Sequence, residues 1–358
     1  CQMSRRVLSS IGTFPVPPWG RPYRTRQIQH NKSVTVERGA TTLELNFRKA
    51  AIIGCGSVGA SIAFRFLQQG LFSHLVLLDA NPAKAEGEAM DLSDGMPYGA
   101  AMEITAGTYD DAASCALAVI TAGVNQKPGQ TRLELIAQNI AILKQIVDEL
   151  TARHFGGILL IVSNPVDVLT YAAWKLSGFP KERVIGSGTV LDTARLKQLL
   201  GEELKVDSRN VHAFGEHGDS ELAVWSGANV SGLDLDDFCR LQGKELRAAD
   251  MDRLYRDIRD SAQAIIQRKG ATYYGIAMAV GRIAECIVKD EHAVLPISVV
   301  LEGEYGLEDL ALSIPSLVGR NGLEKILEIP LGQSERTALR DSAQQLKEVI
   351  GGLSLPPA

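Results

Sequence analysis

The segment that most constrains the fold is the glycine-rich GCGSVG at residues 54–59, which directly follows the apolar run AAII. Its spacing is G-x-G-x-x-G, and a helical pattern follows it. In a strand–turn–helix unit, Gly54 permits the tight turn, Gly56 lets a pyrophosphate approach the backbone, and Gly59 lets helix and strand pack closely. We therefore expect a βαβ unit that binds a dinucleotide, and we count Val58 among its cofactor-binding residues.

An acidic residue narrows this dinucleotide to NAD. Asp79 ends the next apolar run, HLVLLD, 25 residues after Gly54. A carboxylate at this position accepts hydrogen bonds from the adenosine ribose and repels a 2′-phosphate, which disfavours NADP. The alternative interpretation is a glycine turn without a ligand, followed by an Asp that only caps the next helix.

Apolar runs alternate with helical stretches after residue 49, which is typical of a parallel sheet covered by helices on both faces. We predict strands at 50–54, 74–79, 116–122, 157–163 and 183–186, and helices at 57–70, 81–93, 131–151 and 165–177. The expected fold class is α/β, a Rossmann-type doubly wound parallel sheet. An NAD-binding domain is expected over 49–187.

The regular alternation fades after residue 188, which predicts a second, α+β catalytic domain over 188–358. Strand-like segments at 211–217 and 221–228 precede a charged helical block at 236–269. Strands joined by a glycine-containing turn are expected at 297–306, and an amphipathic helix at 339–350.

The composition is that of a folded soluble protein, with 45% hydrophobic and 22% charged residues. The net charge of -5 and the absence of a long apolar run favour neither a nucleic-acid nor a membrane partner. The five cysteines are odd in number and lack CxxC spacing, so we expect reduced thiols, a cytoplasmic location and no bound metal.

The first 48 residues differ in charge from the rest of the chain. They contain eight Lys and Arg against two Glu, a net charge of +6. A basic, acid-poor start is typical of an organelle transit segment. Because Pro15, Pro17, Pro18 and Pro22 disrupt the amphipathic helix that such a signal needs, we expect a disordered extension instead.

Two short segments follow predicted strands at the edge where open α/β sheets bind ligands. The first supplies Thr121, Ala122 and Gly123, whose small side chains leave room beside a cofactor. The second supplies Asn164, which offers an amide at the same crevice. An ordinary strand-to-loop turn is the alternative for the first segment.

Four further groups supply the chemistry of carbonyl reduction by hydride transfer. His217, in GEHGD, is a proton donor with an ordinary pKa of about 6.5, and Asp192 is suited to orient it. Arg195, three residues after Asp192, is suited to bind a substrate carboxylate through two parallel hydrogen bonds. Arg132 ends the polar loop at 125–133, which can close over a site and polarise the carbonyl.

Each of these residues also has an ordinary structural interpretation. A single histidine is more often structural than catalytic. Asp192 and Arg195 can form a surface salt bridge between positions i and i+3, and the loop can be a solvated connection.

In combination, the segments GCGSVG, TAGVNQKPGQTRL, SNPVDVL, GTVLDTARL, GEHGDSEL and KGATYYGIAM resemble the bacterial-type L-lactate dehydrogenases. The resemblance covers residues 49–352. It implies that His217, Asp192, Arg132 and Arg195 have the roles above, that Asn164 adds a hydrogen bond to substrate or histidine, and that Thr272 shapes the pocket wall. It also implies a homotetramer that interconverts pyruvate and L-lactate in fermentation.

Gln126 separates two substrates within this superfamily. The similar malate dehydrogenases carry Arg at this position, which pairs with the second carboxylate of oxaloacetate. A neutral amide leaves that carboxylate unpaired in a partly dry site, which favours pyruvate. Malate, or a bulkier 2-hydroxy acid, stays the alternative substrate.

The chain departs from the family pattern in two places, one of which lies just before the predicted histidine. The chain has two residues fewer than the family between VHA, at 211–213, and GEHGD. A relative of low activity, or one retained only as a binding protein, is therefore an alternative. Lys197 and His212 stand where relatives bind fructose 1,6-bisphosphate, and Lys offers only a point charge where Arg is common.

Overall fold

The computed structural model describes residues 34–38, 41–124, 129–216, 222–244, 247–353 and 355. Its helices are α1 (Ser57–Gln69), α2 (Pro82–Asp94), α3 (Tyr109–Ala113), α4 (Arg132–Ala152), α5 (Val166–Ser177), α6 (Val190–Leu204), α7 (Leu235–Leu241), α8 (Ala248–Lys269), α9 (Tyr274–Lys289) and α10 (Gln333–Gly351). In this described part, no helix combines the length and the apolar character needed to cross a membrane.

The strands are β1 (Val34–Arg38), β2 (Thr41–Ile53), β3 (His74–Leu78), β4 (Glu103–Ala106), β5 (Cys115–Ile120), β6 (Ile158–Ile161), β7 (Val184–Gly186), β8 (Val211–Glu216), β9 (Leu222–Val230), β10 (Leu233–Asp234), β11 (Ala293–Glu302), β12 (Glu308–Gly319) and β13 (Gly322–Ile326). The larger described sheet has the order β13-β12-β11-β7-β6-β5-β2-β3-β4, and β1 pairs with β2 outside this path.

The middle of this sheet is doubly wound. β2 pairs in parallel with β3 on one side and with β5 on the other, and parallel pairing continues outward to β4 and β7. Counted from β2, the strand order is 3-2-1-4-5-6. Successive strands are added toward one edge of the sheet as far as β4, and toward the other edge from β5 onward, so the order reverses between the parallel strands β2 and β5. Ligands of such sheets bind outside the carboxyl ends of the strands at this reversal.

Both faces of the sheet are buried because successive side chains of a strand point in opposite directions. In β2, Ala50 and Ile52 join the core cluster that includes α1 and α9, whereas Ala51 and Ile53 join the cluster that includes α4 and α5. This two-sided burial explains the continuous apolar runs in the sequence.

A separate core lies between α6, α8 and the three-stranded antiparallel sheet β8–β10. Its buried members include Leu196 and Leu200 of α6, Val211 of β8, and Leu254 and Ile258 of α8. The antiparallel strands β11, β12 and β13 instead extend the large sheet, and β11 joins it through the pair Ser298 and Gly186.

The predicted α/β fold class is confirmed, and the predicted strands and helices before residue 188 all form. Several differences remain, and β4 and α3 are among the elements that were not predicted. The charged block at 236–269 is divided into α7 and α8, α9 was not predicted, and β1 and the start of β2 lie inside the extension that we expected to be disordered. The alternating β-branched residues of VTVER and the run TTLELNF account for these two strands. The boundary at 187/188 stays a prediction, and residues 1–33 lie outside the described part.

The ladder between β8 and β9 is irregular. The pair His212 and Asn229 is followed by the pair Phe214 and Val224, so two steps along β8 correspond to five along β9. β9 therefore carries three more residues than β8 here. This irregularity lies where the sequence predicts the two-residue deletion, and the effect of the deletion on activity stays a prediction.

One residue of this extra stretch anchors the last helix. The Ser226 N–H and hydroxyl donate to the Glu335 carboxylate at 2.9 and 2.5 Å, and the Gly332 N–H donates to it at 2.6 Å. Burial alone raises the pKa of Glu335, but these hydrogen bonds to the charged form outweigh it and lower the pKa below its ordinary value. The ionised carboxylate therefore holds α10 against β9.

We predict that Glu335→Ala lowers the free energy of unfolding at pH 7 by about 2 kcal/mol, because it leaves buried donors unpaired. Since the folded pKa is depressed, the contribution of Glu335 is present above its unfolded pKa of about 4.3 and is lost as the pH falls through the lower folded pKa. Urea denaturation at pH 7 and at about pH 3 measures both effects. Glu348→Ala, at an exposed position of the same helix, is the control. An equal loss for the two variants at pH 7 contradicts this account.

Candidate active site

The glycine turn at 54–59 fits tightly against the end of β5. Gly54 has φ +106°, and a Cβ on it would lie 2.6 Å from the Ala122 backbone nitrogen. A Cβ on Gly59 would lie 1.9 Å from the Gly54 carbonyl oxygen and 2.9 Å from the Thr121 Oγ1. The Thr121 hydroxyl donates to the same carbonyl at 2.6 Å. Glycine is therefore required at both positions, as the sequence predicts.

Gly56 has the opposite environment. No heavy atom lies within 4 Å of the place that its Cβ would occupy, so the backbone is open on this side. Gly56 is also the N-cap of α1, and no side chain caps this helix end in the described structure. The first N–H groups of α1 are thus available to an anion, which is what a pyrophosphate needs.

Asp79 joins the glycine turn to the segment after β3. Its Oδ2 accepts a hydrogen bond from the Cys55 N–H at 2.7 Å, and its Oδ1 accepts one from the Asn81 N–H at 2.9 Å. Each carboxylate oxygen has a second lone pair, so this anchoring leaves capacity for ribose hydroxyls. Asp79 hydrogen-bonds the N–H of Asn81, the N-cap residue of α2, and not an N–H inside that helix, so the alternative in which Asp79 only caps the helix does not describe it.

Cys55 does not contribute a reactive thiol to this turn. Its Sγ lies 3.5 Å from the Leu78 carbonyl oxygen, in the interior. Burial, together with the nearby Asp79 carboxylate, raises the pKa of Cys55 to about 12. The thiol is therefore neutral near pH 7, and it packs as a small apolar side chain.

A cavity of about 610 Å³ opens beside the glycine turn. Five of the predicted site residues line it, namely Val58, Thr121, Gly123, Arg132 and Asn164. Ala122 does not line this cavity, but its carbonyl accepts a hydrogen bond at 2.6 Å from the hydroxyl of Ser163, which does. The open backbone at Gly56, the anchored Asp79 carboxylate and this cavity fit a dinucleotide such as NAD.

Asn139 is a functional candidate that the sequence reasoning missed. It is 4% exposed, on the buried face of α4. Its amide accepts from the Val124 N–H at 2.8 Å and donates to the Asn164 carbonyl at 3.0 Å. It therefore links the start of the loop at 125–133 to Asn164. A polar residue within an otherwise apolar helix stripe was the signal that could have identified it.

Arg132 is the first residue of α4, where it is exposed to solvent. Thr131 and Glu134 form a capping box, in which the Thr131 N–H donates to the Glu134 carboxylate at 2.8 Å and the Glu134 N–H donates to Thr131 Oγ1 at 3.2 Å. The capping box fixes where the helix begins and so sets the position of Arg132 at the cavity. Gln126, in the same loop, lies outside the described residues.

Asp192 and Arg195 form a salt bridge across one turn of α6. The Arg195 Nη1 donates to the Asp192 Oδ1 at 2.5 Å. The side chain of Arg195 is 18% exposed and that of Asp192 is 6% exposed. The alternative interpretation placed this pair on a solvated surface, but it is largely buried. A guanidinium has five N–H donors, so this bond leaves Arg195 further capacity for a substrate carboxylate.

Arg195 does not line the cavity beside the glycine turn. It lines a second cavity of about 340 Å³ between α6 and α8, together with Gln198, Asp257 and Ser261. Thr272 is half-buried, just before α9. The structure thus brings Arg132 and Asn164 to the crevice beside the glycine turn, whereas Arg195 lines the second cavity.

The remaining predicted residues can be placed only in part. Lys197 is half-buried on α6, and burial lowers its pKa below the ordinary value. The backbone of His212 lies in β8. His217 follows β8 directly and lies outside the described residues, so its role stays a prediction.

Comparisons with known proteins bear on the whole chain. The family model for the NAD binding domain of lactate/malate dehydrogenases matches residues 48–186, and the model for their alpha/beta C-terminal domain matches residues 189–353. An L-lactate dehydrogenase from Acetivibrio thermocellus is 47% identical over 310 residues, covering 86% of this chain and 98% of that protein. One from Priestia megaterium is 48% identical over 303 residues, with coverages of 84% and 95%.

The chain is also similar in structure to a solved L-lactate dehydrogenase. The minor L-lactate dehydrogenase from Enterococcus mundtii in its ligands-bound form has a TM-score of 0.84 and 44% sequence identity to this chain. The likeness covers 86% of this chain and 99% of that one. The chain therefore belongs to the lactate/malate dehydrogenase family and is an oxidoreductase whose cofactor is NAD.

Proposed function

We propose that this chain is an L-lactate dehydrogenase that interconverts pyruvate and L-lactate. The observation that carries the proposal is the cavity in which Arg132 and Asn164 lie beside the glycine turn. This cavity places the Arg132 cation, which can polarise a carbonyl, and the Asn164 amide next to the proposed cofactor crevice. The names of the relatives and of the similar solved structures point to the same reaction.

Bound NADH supplies the hydride that reduces the substrate carbonyl. In our proposal, the neighbouring residues hold and protonate that carbonyl. His217 delivers the proton to the carbonyl oxygen, and Asp192 accepts a hydrogen bond from the other ring nitrogen and stabilises the imidazolium. Burial of Asp192, which is 5% exposed, strengthens this interaction because little water screens it.

The substrate carboxylate is the proposed partner of Arg195, whose planar guanidinium can make two parallel hydrogen bonds. Because Asp192 already holds one end of this guanidinium, the same short helical segment positions both the carboxylate clamp and the partner of the histidine. Thr272 is proposed to form part of the pocket wall.

Arg132 is proposed to polarise the carbonyl when the loop at 125–133 closes, which also excludes water. Two hydrogen-bonded anchors at the ends of this loop support the proposal. Asn139 holds Val124 on one side, and the Thr131–Glu134 capping box fixes the start of α4 on the other. Closure would then change the conformation of the residues between these anchors, and Arg132, at the fixed start of α4, would reach the carbonyl through its long side chain.

Oligomeric state, location and regulation are further parts of the proposal. We propose a homotetramer in the cytoplasm, as the family resemblance implies. We also propose that fructose 1,6-bisphosphate activates the enzyme through Lys197 and His212. In support, Lys197 has no counter-charge among the described residues, so a phosphate would give its half-buried ammonium a partner.

We predict that the protein oxidises NADH with pyruvate and that Gln126→Arg shifts its preference toward oxaloacetate, because arginine can pair with the second carboxylate. The ratio of kcat/KM for the two substrates, measured by NADH absorbance, tests this. We expect the ratio to change by at least about tenfold, or 1.4 kcal/mol. Gln130→Arg, four residues further along the same loop, is the control. No pyruvate turnover by the wild type would contradict the proposed function, and an unchanged ratio would contradict the role of Gln126.

We predict that fructose 1,6-bisphosphate raises the rate at subsaturating pyruvate and that Lys197→Gln removes this response, because the variant lacks the charge that binds phosphate. Rates with and without the sugar bisphosphate measure it. Lys205→Gln, at the end of the same helix, is the control. A wild-type rate that does not change with the sugar bisphosphate rejects the activation.

A further inference from the structure

Three metal-ligating side chains converge outside the cofactor crevice. Asp290 and His292 lie between α9 and β11, and Glu324 lies on β13. One ligand atom from each residue lies within 4.8 Å of the other two. The His292 Nδ1 is 2.5 Å from the Glu324 Oε2, and its Nε2 is 3.6 Å from the Asp290 Oδ1. None of the three lines either cavity described above.

The register of the sheet builds this cluster. Ala293 pairs with Val318, which pairs in turn with Leu323, so these three residues lie side by side across β11, β12 and β13. His292 directly precedes Ala293, and Glu324 directly follows Leu323. Asp290 enters from the C-cap of α9, where its φ of 56° and ψ of 50° are left-handed. Residues remote in sequence are thus held together by backbone pairing.

A backbone hydrogen bond holds Asp290, and the Glu324 carboxylate lies close over a glycine. The Asp290 Oδ1 accepts a hydrogen bond from the Arg320 N–H at 3.0 Å. The Glu324 carboxylate occupies the space over Gly319, where a Cβ would lie 2.2 Å from its Oε1. Such preorganisation reduces the entropy that a ligand would lose in ordering these side chains.

The charge of the cluster suits a divalent cation. The cluster offers two carboxylates and one imidazole, and two arginines of the neighbouring segments make contacts elsewhere. Arg282 pairs with Glu291 at 2.5 Å, and the Arg320 guanidinium lies 5.2 Å from the centre of the Phe47 ring. One imidazole nitrogen with two carboxylate oxygens is a donor set that Zn²⁺ accepts, with bonds of about 2.0–2.2 Å.

We propose that Asp290, His292 and Glu324 bind a divalent transition-metal ion, which joins the end of α9 to the β12–β13 hairpin. The ion binds one imidazole nitrogen, any proton on that nitrogen is released to solvent, and solvent completes the coordination. Because the His292 Nδ1 faces Glu324 and its Nε2 faces Asp290, the imidazole must turn so that one nitrogen and both carboxylates meet the ion. This site is independent of the proposed dehydrogenase activity.

Titration of the full chain with ZnCl₂, after removal of metal by EDTA, tests the site by calorimetry. We expect the wild type to bind one zinc ion per chain at this cluster. We expect His292→Asn and Glu324→Gln each to lose this ion or to bind it at least about tenfold more weakly. His74→Asn is the matched control, because His74 also contacts a carboxylate, that of Glu103, but belongs to no three-ligand group among the residues that the structure describes. Zinc bound elsewhere on the chain persists in all variants, so the difference reports on this cluster.

Thermal unfolding provides the second measurement. Zinc should raise the Tm of the wild type and of His74→Asn, because both bind the ion at this cluster in the folded state. It should raise the Tm less in His292→Asn and Glu324→Gln, which lack a ligand of the cluster. The Tm increment is the difference between the Tm with zinc and the Tm with EDTA for the same protein. A substitution that lowers the Tm in EDTA therefore does not obscure the comparison. Equal zinc stoichiometry, affinity and Tm increment in wild type and His292→Asn would overturn the proposal.

Discussion

The close contact between the glycine turn and the end of β5 is the constraint on which the site depends. α1 approaches the sheet so closely that a single Cβ on Gly59 would collide with the Gly54 carbonyl. The Thr121 hydroxyl donates to that same carbonyl, so strand and turn are joined by a hydrogen bond as well as by packing. The N-terminus of α1 is thereby aimed at the crevice where the chain order of the sheet reverses.

Hydrogen bonds to backbone groups extend this arrangement outward. Asp79 holds the turn through the Cys55 N–H, and Asn139 connects Val124 with Asn164. Each bond joins segments that belong to different strands or helices. The polar groups of the crevice are thus positioned before any ligand arrives, which reduces the ordering cost of binding.

The cofactor half of the molecule was predictable because its signals are local. A glycine turn, an acid at a strand end and continuous apolar runs each have a specific structural cause within a few residues. The Asp192–Arg195 pairing was also foreseen, but its burial was not, because burial depends on α8 and its neighbours. The NAD-binding fold and the five cavity residues therefore followed from the sequence.

The features that sequence reasoning missed depend on contacts between distant segments. The hydrogen bonds of Asn139 become visible only when α4 packs over Val124 and Asn164. The irregular β8–β9 ladder and the anchoring of Glu335 by Ser226 depend on strand register, which an apolar pattern does not define when one strand bulges. The convergence of His292 and Glu324 has the same origin in the pairing of β11, β12 and β13.

The most direct test of the central claim is the dissociation constant of NADH for Gly59→Ala, measured by fluorescence titration. Gly87→Ala is the control, because no heavy atom lies within 4 Å of the place that its Cβ would occupy. Circular dichroism verifies that both variants are folded. The account predicts that Gly59→Ala weakens NADH binding by at least about tenfold, or 1.4 kcal/mol, while Gly87→Ala leaves it unchanged. A folded Gly59→Ala variant that binds NADH as tightly as the wild type would contradict it.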